Sequence, residues 1–350
     1  MDVFDLMQMC IDQDASDIHL TVGTKPVLRV DGGIKKVDEA EKLTPQDTEK
    51  MVKAVAPDEH LEKLAKAGQS DFGYEMEDGN RFRVAIFKQQ KYAGMVMRLI
   101  PKKIFTFEEL GLPSKMKEIC TYPRGIVLVT GPTGSGKTTT LAAFIDYINS
   151  NFGKHIITIE DPIEFKHPHK QSIITQRELG VDVLSFSDGI RSGLRMDPDV
   201  MLVGEMRDQE TIGAAITAAE TGHLVFATLH TNSAAQTVNR IIDTFPQEEQ
   251  SQVRSQLSIT LTSVISQTLM PLKSGTGRTA AFEIMIATPG IQNLIREKKE
   301  QNIPSAIQTG GNLGMQTLDQ HLQQLYQRSK ISYDEAVANA QNAEELKKKL

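Results

Sequence analysis

The sequence predicts an α/β protein: an α+β unit first, then a core built on a largely parallel sheet, then a helical C-terminal region. Three observations carry that expectation. After residue 120 short apolar runs, GIVLVTG, HIITIED, DVMLVGE, HLVFATLH and TAAFEIM, recur between helix-like stretches. Near-continuous apolar strands alternating with helices indicate a sheet buried on both faces. Before residue 100 the extended segments instead alternate apolar and polar residues, as a half-buried sheet requires. A length of 350 residues exceeds that of the usual single domain and favours two.

Taken in order, Val3, Phe4, Leu6, Met7, Cys10 and Ile11 fall on one face of a short helix. DIHLTV and KPVLRV follow as strands, with Gly23 and Gly32-Gly33 as turns. Thr44-Pro45, with Asp47 behind, marks a helix start, and a second helix follows. FGYEM, RFRVAIF and GMVMRLI read as three more strands, the first two joined by Asp78-Gly79-Asn80. The first domain is therefore set at residues 1–100. PKKIFTFEELGLPS, with prolines near both ends, reads as a linker over 101–118. Residues 119–350 form the second domain, and the last third of the chain reads as helical, broken at Gly310-Gly311 and Gly314.

Apolar residues make up 39% of the chain, enough for substantial cores, and the net charge is −6. That balance argues against a surface built to grip nucleic acid. No segment approaches the roughly 18 consecutive apolar residues of a membrane span. The opening residues are acidic and amphipathic, unlike a secretory signal. Two cysteines, Cys10 and Cys120, support neither a disulfide framework nor a four-cysteine zinc site. A cytoplasmic protein is expected.

The chemistry begins at GPTGSGKT, Gly131 to Thr138, which satisfies G-x-x-x-x-G-K-[ST] between a strand and a helix. In such a P-loop the backbone N–H groups of Gly131, Thr133, Gly134, Ser135 and Gly136 wrap phosphates, while Pro132, which has no N–H, contributes only its shape. The helix dipole adds to the pull, with Thr138 and Thr139 in its first turn. Lys137 is expected to reach the β- and γ-phosphates of ATP, and the Thr138 hydroxyl to ligate Mg²⁺. Two carboxylate clusters end apolar strands downstream: Glu160, Asp161 and Glu164, then Glu205 and Asp208. Carboxyl ends of parallel strands form the ligand crevice, so both clusters are candidates for organising the attacking water. The competing reading is helix capping, above all for Asp161 before Pro162. Gly204 stands where a usual Walker B strand supplies an aspartate. His223 and His230 flank the next strand, and His230, beside Thr228, Thr231 and Asn232, suits a polar sensor of the γ-phosphate; no third ligand has metal-site spacing.

GPTGSGKT, ITIEDPIEF, DPDVMLVGEMRD and TGHLVFATLHTNSA resemble, in that order, the four boxes of the secretion ATPase superfamily, and with ASDIHLTVGTKPVLRVDG the resemblance covers nearly the whole chain. It implies hexameric rings in which a PAS-like N-terminal domain moves against a RecA-like P-loop ATPase core. It also implies Glu164 as general base, Glu205 as holder of magnesium, partly through water, and Arg83 and Arg98 as arginines that reach the γ-phosphate. Arg81 is a weaker candidate, and Arg191, Arg195 and Arg207 are open participants at subunit contacts.

Assembly and type II secretion members resemble one another in a longer N-terminal region and a four-cysteine insertion, which two cysteines cannot supply. GIQNLIREKK, residues 290–299, instead resembles the AIRNLIRE helix of the type IV pilus retraction branch. Gly290 and Gln292 depart from it, while Asn293, Leu294, Ile295, Arg296 and Glu297 agree. The same residues also suit an ordinary amphipathic helix with Ile291, Leu294 and Ile295 buried. Membership in that branch implies twitching motility as the process, the inner-membrane platform protein of the pilus as partner, a retraction accessory paralogue as relative or partner, and a peripheral position at the cytoplasmic membrane. The alternatives are that accessory role itself, a RecA-like nucleic-acid translocase, and a nucleotide-gated scaffold that hardly turns over.

Overall fold

The computed structural model describes residues 1–30, 33–100 and 103–350. Gly32 of the expected turn, and Pro101 and Lys102 of the expected linker, lie outside them. The chain divides into two compact units, one of residues 1–103 together with 162–166, the other of residues 104–161 and 167–350.

The first unit is built on β1 (Asp17–Leu20), β2 (Val27–Val30), β3 (Gly33–Lys36), β4 (Gln69–Glu75), β5 (Arg81–Gln89) and β6 (Tyr92–Ile100). They form one antiparallel sheet in the order β3-β2-β1-β6-β5-β4. Register sorts its residues by face. Leu28, Ile18, Met97, Val84 and Phe72 stand opposite one another across five strands and are all buried. They belong to a core shared with Leu6, Met7 and Cys10 of the helix Val3–Asp12, Met51 and Val52 of Pro45–Val55, and Leu64 of Asp58–Ala67. Capping boxes at Asp2 and Thr44 fix the starts of the first two helices, the second where Thr44-Pro45 marked it. The neighbouring row, one residue along, is Arg29, Asp17, Arg98, Arg83 and Gly73, on the opposite face because side chains alternate.

The second unit holds β7 (Gly125–Thr130), β8 (His155–Glu160), β9 (Ile173–Glu178), β10 (Val200–Val203), β11 (Leu224–Leu229), β12 (Leu261–Pro271) and β13 (Arg278–Ile286). Their order is β13-β12-β7-β11-β10-β8-β9, parallel throughout except for β13. Every residue of β7, β10 and β11 is buried, as strands covered on both faces must be.

Several expectations need correction. The last third of the chain is not wholly helical, since β12 and β13 form a long antiparallel pair within it. β9 also escaped the sequence reading. The stretch read as a linker belongs to the second unit from Ile104 onward: Phe107–Leu110 is a short helix, and Phe107, Leu112 and Met116 enter the core beside Phe144. Both cysteines are free and buried, and among the described residues no helix is long and apolar enough to cross a membrane.

Candidate active site

The P-loop joins β7 to the helix Lys137–Asn151. Its glycines have steric reasons. Gly131 has φ +145°, and a Cβ there would lie 2.3 Å from the Gln267 carbonyl oxygen and 2.6 Å from Ser135 Oγ. Gly136 caps the helix in a left-handed conformation with no side chain bonding to the first turn. By contrast, the helices Phe186–Gly193, Gln209–Glu220 and Ala234–Asp243 are capped by Ser185, Asp208 and Ser233. The P-loop helix therefore presents its backbone N–H groups and positive dipole end to a ligand. Lys137 curls back over the loop, its Nζ donating to the carbonyls of Gly131 at 2.9 Å and Pro132 at 3.0 Å. Below, Gln267 donates to the Ser135 carbonyl, and the Thr130 and Ser266 hydroxyls meet at 2.7 Å.

Glu205 leaves the end of β10 and is held at both oxygens. Arg207 Nη2 donates to Oε2 at 2.6 Å, and His230 Nε2 lies 3.1 Å from Oε1. The other ring nitrogen of His230 stands 3.4 Å from Thr133 Oγ1. One chain of contacts thus runs from the second carboxylate cluster through the histidine to the P-loop. Burial pushes the Glu205 carboxyl up, but the Arg207 hydrogen bond and the charges of His230, Arg207 and Lys137 outweigh it and leave it below its ordinary value. Gly204 has a reason of its own: its N–H donates to Ile159 O at 2.8 Å, Thr228 Oγ1 donates to its carbonyl at 2.6 Å, and a Cβ would approach Ile159 O to 3.2 Å.

The capping alternative divides between the clusters. Asp208 does cap the helix Gln209–Glu220, accepting from Thr211 N at 2.8 Å. No helix begins at Pro162, so Asp161 caps nothing. Glu160 is buried and accepts from Thr158 and Gln176. His223 bonds locally to the Ala218 carbonyl. Among the described residues Arg191 makes only a loose surface contact with Asp188, at 3.9 Å, whereas Arg207, unranked in the sequence, binds Glu205.

Residues 162–166, with Glu164, group with the first unit. Arg81 Nη1 donates to the Ile163 carbonyl at 3.1 Å, and Lys166 pairs with Glu75 on β4. This gives Arg81 a structural task. Glu164 itself is half-buried, and among the described residues neither it nor Arg83 has a hydrogen-bond or ion-pair partner. Arg83 and Arg98 are direct cross-strand neighbours.

Thr138 and Glu205 are hard oxygen donors of the kind Mg²⁺ takes. Among the described residues no cluster of three His, Cys, Asp or Glu could hold a metal alone. Phosphate oxygens and water would therefore complete the shell, as is usual for Mg²⁺ at a nucleotide.

A parallel sheet with a glycine loop, an uncapped helix and an inward lysine at its C-terminal edge defines a P-loop nucleotide hydrolase with a RecA-like core. The family model for type II/IV secretion system proteins matches residues 2–337, and the chain belongs to that family as one of its nucleotide-binding ATPases. The type IV pilus retraction ATPase PilT of Pseudomonas aeruginosa is 52% identical over 96% of this chain and 97% of its own. The type IV pilus ATPase PilU of the same organism is 40% identical over 98% of this chain and 89% of its own. A crystal structure of the pilus retraction motor PilT with bound ADP superposes with a TM-score of 0.93, at 46% identity over 99% of both chains.

Proposed function

We propose that this chain is the retraction motor of type IV pili, a homohexameric ATPase that drives pilus depolymerisation and twitching motility from the cytoplasmic face of the membrane. The observation that carries the reading is full-length similarity to a retraction ATPase, at 52% identity, above the 40% shared with PilU. The retraction motor is therefore preferred over the accessory role. The pilus platform protein is the partner that fits this role.

Lys137 and the P-loop N–H groups bind the phosphates of ATP. Thr138 and, partly through water, Glu205 would hold magnesium, which would supply charge neutralisation at the phosphates. Glu164 is the general base for the attacking water, and His230 reports the γ-phosphate to Glu205 and Thr133. Arg83 and Arg98 stabilise the charge that develops on the γ-phosphate. Catalysis is positioning and electrostatics, as phosphoryl transfer generally requires.

Deleting the gene tests this directly. The expected cells carry surplus surface pili and do not twitch, and the wild-type gene restores motility while a Lys137→Ala copy, unable to bind ATP tightly, does not. Loss of all pili would assign the chain to assembly and overturn the proposal.

A further inference from the structure

The polar face of the first unit carries a row of charges in strict register. Arg29 on β2, Asp17 on β1, Arg98 on β6 and Arg83 on β5 stand opposite one another across four strands, so their side chains share one face. Asp17 is the one acid among three bases, and it is the buried member, its side chain only 5% exposed. Its Oδ1 accepts from Arg98 Nε at 2.8 Å, and its Oδ2 accepts from Ser16 Oγ at 2.7 Å. Arg29 Nε lies farther away, 3.7 Å from Oδ2.

The choice of nitrogen matters. A guanidinium held through Nε spends one of its five donors on the carboxylate and leaves the four Nη hydrogens unspent. Arg98 is 67% exposed, and among the described residues its Nη groups have no partner. A flexible side chain is thus anchored near its base while its phosphate-binding fork stays available. Burial pushes the Asp17 carboxyl up, yet the hydrogen bonds from Ser16 and Arg98 prevail and hold it below its ordinary value.

We infer that Asp17 is a positioning residue for nucleotide hydrolysis, which fixes the Arg98 guanidinium through Nε so that its Nη groups are presented to a phosphate. The inference rests on the proposed role of Arg98 at the γ-phosphate. It assigns a task to the aspartate of ASDIHL, a residue with no part in the site as read from the sequence.

The test is a double-mutant cycle in steady-state ATP hydrolysis, with ADP affinity and thermal unfolding measured alongside. A displacement of about 1 Å in a catalytic group costs on the order of 10²-fold in rate. Asp17→Asn is therefore expected to lower kcat by about that factor while ADP affinity, set in the second unit, holds. In an Arg98→Ala background Asp17→Asn should cost nothing further, because residues acting through one another are non-additive. Arg29→Ala should leave kcat in place, since the Asp17–Arg98 contact does not need it. Should Asp17→Asn fail to fold, Ser16→Ala, which loosens the same carboxylate, carries the cycle with a smaller drop. Multiplicative losses, a normal kcat in Asp17→Asn, or an equal loss in Arg29→Ala would each overturn the inference while leaving the role of Arg98 intact. A normal kcat in Arg98→Ala would instead remove that role, and the inference with it.

Discussion

Glu205 and Glu164 end similar apolar strands in the sequence, yet the structure gives them opposite surroundings. Glu205 is held at both oxygens and sits below its ordinary carboxylate range, so it is ionised at neutral pH and fixed in place. Glu164 has no partner among the described residues, which suits a base that must accept a proton from water. Glu164→Gln is expected to bind ATP and lose turnover by ~10²–10⁴-fold. In Glu205→Gln one carboxylate oxygen becomes an NH2 group unable to accept from Arg207, so Mg-dependent ATP affinity should fall together with rate. Nucleotide titration and single-turnover hydrolysis separate the two outcomes; trapped ATP in Glu205→Gln with normal hydrolysis in Glu164→Gln would exchange the roles. The P-loop, Glu205 and His230 were legible because each ends an apolar strand in a polar burst. Gln267 and Asp17 were not, because their partners Ser135 and Arg98 lie 132 and 81 residues away and only folding brings them together.

Among the elements, two of the missed strands were hidden for different reasons. β9 lies at the sheet edge and is mostly half-exposed, so its sequence IITQRE lacks a continuous apolar run. β12 follows the helix Gln247–Thr260 with no intervening residue, so no glycine or proline announces the change. The linker reading leaned on prolines and undervalued Phe107, Leu112 and Met116. The retraction-type helix spans Pro289–Arg296 and is anchored by fully buried Ile291 and Ile295, with Leu294 only partly buried. Arg254 Nη1 caps its end by donating to the Ile295 carbonyl at 2.9 Å. Arg296 and Glu297 are exposed and, among the described residues, bond only to near neighbours in sequence. Replacing both by Ala should leave ATPase activity within about threefold, as surface changes usually do, while pilus retraction in cells fails. Ile295→Ala, by contrast, should cost about 2–5 kcal/mol of stability through the cavity it opens. Normal retraction in the double variant would reduce this helix to a packing element.

At the scale of the whole molecule, each of the two units buries one cysteine in a hydrophobic cluster of its own. Cys10 sits in the core of the first unit, and Cys120 in the second unit's cluster around Phe107, Phe144 and Phe226. Burial pushes both thiols up to about 12, so almost no thiolate exists at pH 8 and neither should be alkylated while its unit stays folded. The molecule is thereby equipped with two natural reporters that need no engineered label. Iodoacetamide pulses at rising urea, read by peptide mass spectrometry, would follow the opening of each interior by name. The smaller unit buries less of its surface and should open first, so Cys10 is expected to become reactive at lower urea than Cys120. Coincident midpoints would instead mean that the two units melt as a single cooperative body, so that neither fold outlasts the other.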